Sequence, residues 1–172
     1  MDKNICNKKI KNYSDDEIKN IESNKIKILK SDEDIISFVK ESLGTKSSNK
    51  KIYYGKINDL LAEQIYEKLG INVKDYNLPL RASNVRKIIK DHGNAYREKL
   101  RGQMPVCMDN FKYIDDIVTG NDSFYYSGIT KEGKPSITFE KTIGNKYVVV
   151  EYISDKHHNL EVQTMWINKK RT

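Results

Sequence analysis

The chain reads as an α+β domain, with helices over its first two thirds packed on an antiparallel β-meander formed by its last third. Three observations predict this. Apolar residues recur at helical spacing as far as Val118, and from Ser123 onward the spacing changes to alternation. Short turn signals, Gly133, Gly144-Asn145 and Ser154–His158, divide the alternating part into strands. Helices first and a meander last is the pattern of helices segregated to one side of a sheet.

The elements follow in order. Residues 1–24 are rich in Lys, Asn and Asp, with Ile5, Ile10, Ile18 and Ile21 as the apolar anchors. They read as a basic N-terminal extension or linker, and residues 25–172 as the folded domain. The domain begins with a short strand at Lys25–Lys30. Ser31 then caps a helix to Leu43, with Asp34 three residues on and a stripe of Ile35, Ile36, Val39 and Leu43. After a loop at Gly44–Lys50, Lys51–Lys56 reads as a strand. Asn58 caps a helix that ends at Leu69 before Gly70.

Tyr76–Leu80 contains Pro79 and reads as an extended connection. Ser83 opens a helix in which Val85, Ile88, Ile89 and His92 share one face, and Gly93 closes it. Asn94–Pro105 shows no pattern, and Asp109–Val118 is a short helix. The strands are Phe124–Ser127, Ser136–Ile143, Lys146–Ile153 and Asn159–Asn168.

The net charge is +7, which suits an anionic partner such as nucleic acid. Heavy use of Lys, Asn and Ile throughout also looks like an A/T-rich coding bias, which discounts that argument. Cys6 and Cys107 are the only cysteines and have no zinc-ligand spacing, so neither a disulfide framework nor a structural zinc is expected. No signal peptide and no membrane-spanning run is seen, and a reduced cytoplasmic setting is expected.

Three polar residues fall where the periodicity asks for apolar ones. A two-residue turn at Gly144-Asn145 would pair Ile143 with Lys146 and Lys141 with Val148. Pairing Tyr152 with Leu160 would then set Val148 against Thr164. Lys141 and Thr164 would share one row of an otherwise apolar face. His92 would interrupt the apolar face of its helix in the last turn. Each has an ordinary explanation: a snorkelling lysine, a β-forming threonine, a half-buried histidine bonded to a carbonyl. Together they could act on a phosphodiester. Lys141 would hold the phosphate, Thr164 would donate to its oxygen, and His92, at a helix C-terminus, would transfer a proton.

Arg81–Arg101 is the densest basic stretch, and Arg81, Arg97 and Arg101 are candidate phosphate contacts. His157-His158 lies in a predicted hairpin loop, where a solvated turn is the plainer reading. Asp115-Asp116 has no partner carboxylates for a two-metal site, and no Walker loop, GxGxxG or GxSxG occurs.

Several segments resemble a family. Ser83–Gly93 ending in KDHG, the RGQ at Arg101–Gln103, and the runs ITFEKTIGNKYVVVEYIS and LEVQTMWINKK resemble phage-borne nuclease domains of the barnase–EndoU–colicin–RelE superfamily. The resemblance spans about Lys25 to Arg171 and rests on the order of elements. It implies a barnase/EndoU-like fold and metal-independent RNA cleavage by 2′-hydroxyl attack, with no cofactor. It places the family's helix-end histidine at His92, its strand lysine at Lys141 and its late hydroxyl at Thr164. Related domains often carry a second helical histidine; Asn84, Arg86 and Lys87 stand there instead. Glu151, Tyr152, His157 or His158 would have to serve as the second proton-transfer group, with Tyr152 also a substrate contact.

The expected function is therefore an endoribonuclease, a toxin or a phage or mobile-element effector, acting in the cytoplasm it occupies or is delivered into. Its expected partners are RNA, tRNA included, and an immunity or antitoxin protein. The competing expectation is a non-catalytic RNA-binding or structural module of a mobile-element protein.

Overall fold

Side-chain alternation along the last four strands separates the molecule into a covered face and an open face, and that division positions everything else. The computed structural model describes residues 13–24, 26–29, 31–45 and 49–170. The anchors Ile5 and Ile10, Cys6, Lys25, Lys30, Ser47, Ser48 and Arg171 lie outside them.

In chain order the elements are α1 (Asp15–Ser23), β1 (Lys27–Ile28), α2 (Asp32–Gly44), β2 (Lys51–Lys56), α3 (Asp59–Leu69), β3 (Asn77–Arg81), α4 (Ala82–His92), α5 (Ala95–Leu100) and β4 (Gln103–Met104). A 3-10 turn, Met108–Tyr113, leads into α6 (Ile114–Thr119). Then come β5 (Ser123–Ile129), β6 (Pro135–Ile143), β7 (Asn145–Ser154), a second 3-10 turn at Asp155–His157, and β8 (Asn159–Asn168).

The strands form one sheet in the order β1-β2-β3-β8-β7-β6-β5, with β4 also pairing β8. The β1–β2 and β3–β8 pairs are parallel and the others antiparallel. The α+β class and the C-terminal meander thus match the sequence reading.

The helix signals act as expected at α2 and α3. The Ser31 side chain accepts from the Asp34 N–H, Asn58 accepts from the Leu61 N–H, and Gly70 ends α3 at φ 70°. Three expectations need correction. Tyr76–Leu80 is not a connection: Asn77–Arg81 is an inner strand of the sheet, with Pro79 opposite Tyr53 beside a bulge, where a missing N–H is tolerated. Ser83 does not cap α4; Arg81 holds the N-cap position and the Ser83 hydroxyl donates to Asn49 Oδ1 at 2.6 Å. Asn94–Pro105 contains α5, capped by Asn94, and the short strand β4.

The register of the meander also differs from expectation. Ile143 pairs with Asn145, so only Gly144, at φ 73°, lies between them; residues without a side chain adopt this conformation most readily. Lys141 then pairs with Tyr147 and Phe139 with Val149. On the far side of β7, Val148 pairs with Trp166 and Val150 with Thr164. A bulge follows, after which Glu151 pairs with Val162 and Tyr152 with Glu161. The run Val148-Val149-Val150 is apolar on both faces, so alternation could not choose the register there. The turn and the bulge chose it.

Cross-strand partners share a face. One face carries Ile137, Phe139, Tyr147, Val149, Ile153, Leu160, Val162, Met165 and Ile167. All are buried in one cluster with Ile35, Phe38 and Val39 of α2, Leu61 and Ile65 of α3, Val85 and Ile88 of α4, and Ile114, Ile117 and Val118 of α6. The opposite face presents Tyr125, Thr138, Val150 and Thr164 in one row, and Glu140, Val148 and Trp166 in the next. No helix contributes a core cluster over that face among the described residues. Tyr13, ahead of α1, is buried, with its hydroxyl 2.6 Å from the Gly55 carbonyl oxygen.

Candidate functional site

The open face gains its chemistry where β3 and β8 converge. Lys51 pairs with Arg81 across β2–β3, and Lys51 and Tyr53 lie two residues apart, so all three project to the open side. Arg81 Nε donates to Glu161 Oε1 at 2.5 Å, and the Glu161 side chain is only 4% exposed. A carboxylate this deep requires a partner, and the guanidinium supplies it. Tyr152 is the cross-strand partner of Glu161. Burial, and then the Glu161 charge, push the Tyr152 hydroxyl up to about 12, so it stays protonated at neutral pH. Lys134 Nζ lies 5.2 Å from the Tyr152 ring centroid. Lys51 Nζ lies over Tyr53 at 5.4 Å, and burial followed by the Arg81 charge lowers its pKa.

Beside this cluster is a polar cleft of about 340 Å³, lined by Asn84, Lys87, Thr130, Glu132, Lys134, Tyr152 and Gln163. Helix α4 forms one wall and the β5–β6 turn the other. The Asn84 side-chain amide donates to the Gln163 carbonyl at 3.3 Å and fixes α4 along the edge of β8. The bulge in the β7–β8 pairing leaves Gln163 as the extra residue between Val162 and Thr164, where it re-aims side chains, as bulges beside functional sites commonly do.

The residues predicted from sequence divide accordingly. Arg81 and Tyr152 are brought together, with Glu161 between them in the network. Thr164 faces the same open side, one row from Tyr152. Lys141 faces the opposite side, where its Nζ donates to the Gly120 carbonyl at 2.6 Å behind α6. The shared row of Lys141 and Thr164 is therefore overturned. Its cause is the one-residue shift at Gly144.

His92 ends α4, its ring centroid 6.0 Å from that of Trp166. Its Nδ1 lies 3.2 Å from Glu98 Oε2, and Arg101 Nη1 donates to Glu98 Oε1 at 2.9 Å. Arg97 Nη2 donates to the Lys90 carbonyl and Arg101 Nη1 to the Asp91 carbonyl. Both arginines thus engage carbonyls at the C-terminal end of α4. Glu151 is buried on the covered face beside the Tyr54 hydroxyl, which donates to it. It is sealed off from the cleft. His157 and His158 are exposed in the β7–β8 turn, with His158 stacked on Tyr76 at 5.3 Å.

Sequence reasoning missed Glu161, Glu132, Lys134 and Gln163, and gave Lys87 only as one of the basic residues of Arg81–Arg101. Glu161 had a signal: in Leu160-Glu161-Val162 it is the outward residue of a strand whose inward residues are apolar. Lys134 and Glu132 had none, because only the fold brings the β5–β6 turn across to α4.

Among the described residues no group of three or more His, Cys, Asp and Glu side chains is placed to hold a metal ion. No helix among them is long and apolar enough to cross a membrane. No curated protein and no solved structure matches the chain at a significant level. A family model, described as phage-Barnase-EndoU-ColicinE5/D-RelE like nuclease3, matches residues 55–172. That span begins inside β2 and contains Arg81, the cleft, Tyr152 and Glu161, and the order of helices and meander agrees with the nuclease resemblance read from the sequence. The chain belongs to the phage-Barnase-EndoU-ColicinE5/D-RelE like nuclease family.

Proposed function

We propose that this protein is a metal-independent endoribonuclease whose active site is the cleft between α4 and the β5–β6 turn. The observation that carries this reading is the Arg81–Glu161–Tyr152 cluster at the edge of that cleft, a protonated phenol beside a paired carboxylate with Lys87 and Lys134 on either wall. Lys87 and Lys134 bind the scissile phosphate and stabilise the charge that builds on its oxygens. Glu132, an exposed carboxylate lining the cleft, takes the proton of the 2′-hydroxyl. The 2′-oxygen forms its bond to phosphorus and the bond to the 5′-oxygen breaks. Tyr152 gives that leaving oxygen its proton. The products are a 2′,3′-cyclic phosphate and a 5′-hydroxyl; Glu132 releases the proton it took to solvent, and Tyr152 regains its own from solvent. Glu161, held by Arg81, positions Tyr152 and keeps it protonated.

The test is an RNA oligonucleotide incubated with the protein in EDTA, beside the same oligonucleotide with 2′-deoxy substitution at the cleaved position. Cyclic phosphate ends from the first and no cleavage of the second are expected. Cleavage of the deoxy substrate, or cleavage abolished by EDTA, would overturn the mechanism. The wider expectations, an immunity or antitoxin partner and action as a toxin or mobile-element effector, belong to the same reading; co-purification with a neighbouring small protein that blocks cleavage would support them.

A further inference from the structure

Trp166 lies on the open face, away from the cleft. It pairs with Val148, four residues along β7 from Tyr152, which puts it about 13 Å from Tyr152 at the usual rise per strand residue. Its indole is partly exposed and its N–H makes no hydrogen bond among the described residues. His92 closes one side of it, with the two rings inclined by 31°.

His92, whose side chain is 16% exposed, is backed by a buried charge. Glu98 has no side-chain exposure, yet it carries a carboxylate. Burying that charge is costly unless both oxygens are engaged, and both are, one by His92 and one by Arg101. Because a carboxylate only accepts, His92 Nδ1 must carry the proton. The ring is held in one orientation, and Nε2 is left without a hydrogen bond among the described residues.

A partly exposed indole beside an imidazole, with the indole N–H and Nε2 both without a hydrogen bond among the described residues, matches what an unpaired nucleobase requires. The base stacks on the indole and one of its edge groups bonds to Nε2. The row between Tyr152 and Trp166 is Tyr125, Thr138, Val150 and Thr164; Thr138 is buried within it, Val150 and Thr164 are partly exposed, and the half-exposed Tyr125 ends it.

We propose that Trp166 and His92 form a base-stacking subsite for an unpaired nucleotide of single-stranded RNA, and that Glu98 positions His92 within it. The proposal rests on the nuclease reading of the cleft. It gives His92 a role in holding substrate rather than in moving protons.

Trp166 is the only tryptophan, so its fluorescence reports the subsite directly. Titration of the protein with a 2′-deoxy-substituted RNA hexamer, which cannot be cleaved, should quench that fluorescence. A duplex of the same sequence should not. Measured with a labelled hexamer, Trp166→Ala should weaken binding by about 5- to 150-fold, the usual worth of one stacked base, and Trp166→Phe should recover most of it. His92→Ala and Glu98→Gln should weaken binding by about 3- to 10-fold, the worth of one hydrogen bond, and should raise KM more than they lower kcat. Equal quenching by duplex, no quenching by the hexamer, or a His92→Ala loss confined to kcat would each overturn the subsite. Quenching without cleavage of any RNA would instead overturn the nuclease reading and leave the subsite standing.

Discussion

Two glutamate–tyrosine pairs lie on opposite faces of the sheet: Glu151 with Tyr54 on the covered face, and Glu161 with Tyr152 on the open one. The side-chain types are the same and the surroundings are not. Among the described residues Glu151 has no cationic partner and its Oε2 no hydrogen-bond partner; burial, opposed in part by the Tyr54 hydrogen bond, raises its pKa to about 8. Glu161 has Arg81 at 2.5 Å and a polar cleft beside its tyrosine. A carboxylate without a countercharge becomes a neutral acid in the core, whereas one with an arginine can stay ionised and organise a site. Burial of an ionisable group therefore does not mark function by itself here. Arginine pairing on the uncovered face does.

The largest expected effect separates the two tyrosines. Tyr152→Phe should lower kcat for RNA cleavage by on the order of 10²–10⁴-fold with little change in thermal stability, since it removes the proton donor and keeps the ring. Tyr54→Phe should leave kcat unchanged and lower stability, because the Glu151 carboxyl loses its partner in the core. Equal kcat losses in the two variants would show that the faces are not functionally distinct.

The next prediction concerns pH. Glu151 is raised above its unfolded value, so between the unfolded pKa and about 8 the native state binds a proton that the unfolded chain does not. Stability should be full below the unfolded pKa, decline as pH rises toward 8, and level off above it. Glu151→Gln, a permanently uncharged mimic of the protonated acid, should flatten that decline and be relatively more stable at pH 8 than at pH 5. Thermal melts across pH 4.5–9 measure it. A wild-type profile with no decline, or a decline that persists in the glutamine variant, would mean that Glu151 is not the group involved.

The walls of the cleft should respond to salt. Lys87→Ala and Lys134→Ala should each reduce the slope of log affinity against log salt by about 0.7 for single-stranded RNA, one phosphate contact apiece. Arg97→Ala should leave the slope nearly unchanged, because its guanidinium is bonded to the Lys90 carbonyl. The reverse result would move the RNA path from the cleft to the end of α4.

Much of this architecture is legible in the sequence, for identifiable reasons. Ser31, Asn58 and Gly70 are local signals, and helix ends are set locally. The four C-terminal strands are legible because alternation and turn residues agree. The facing of β7 is not: Val148, Val149 and Val150 satisfy either register, and one left-handed glycine and one bulge settle it. Arg81 and Tyr152 were legible as charge and aromatic signals. Their partnership was not, because Glu161 joins them only after β3 and β8, far apart in the chain, come together. Lys141 shows the opposite failure, in which a sound pattern argument was carried to the wrong face by one residue of register.

The smallest expected effect tests that last point. Lys141→Met keeps the aliphatic stem on the covered side and removes one hydrogen bond, to the Gly120 carbonyl at 2.6 Å. Gly120 is exposed, so water can replace the lost donor, and the cost should be about 1 kcal/mol or less. RNA cleavage should stay within twofold of the original. Thr164→Val, on the open side, should show the converse: an unchanged melting temperature, since valine fits the strand, with a loss of a few-fold in cleavage as a polar contact one row from Tyr152 disappears. The two substitutions are of similar size and lie on strands that both flank β7, and the face differs. If Lys141→Met lowers cleavage tenfold while stability holds, the lysine reaches substrate and the assignment of the two faces is wrong.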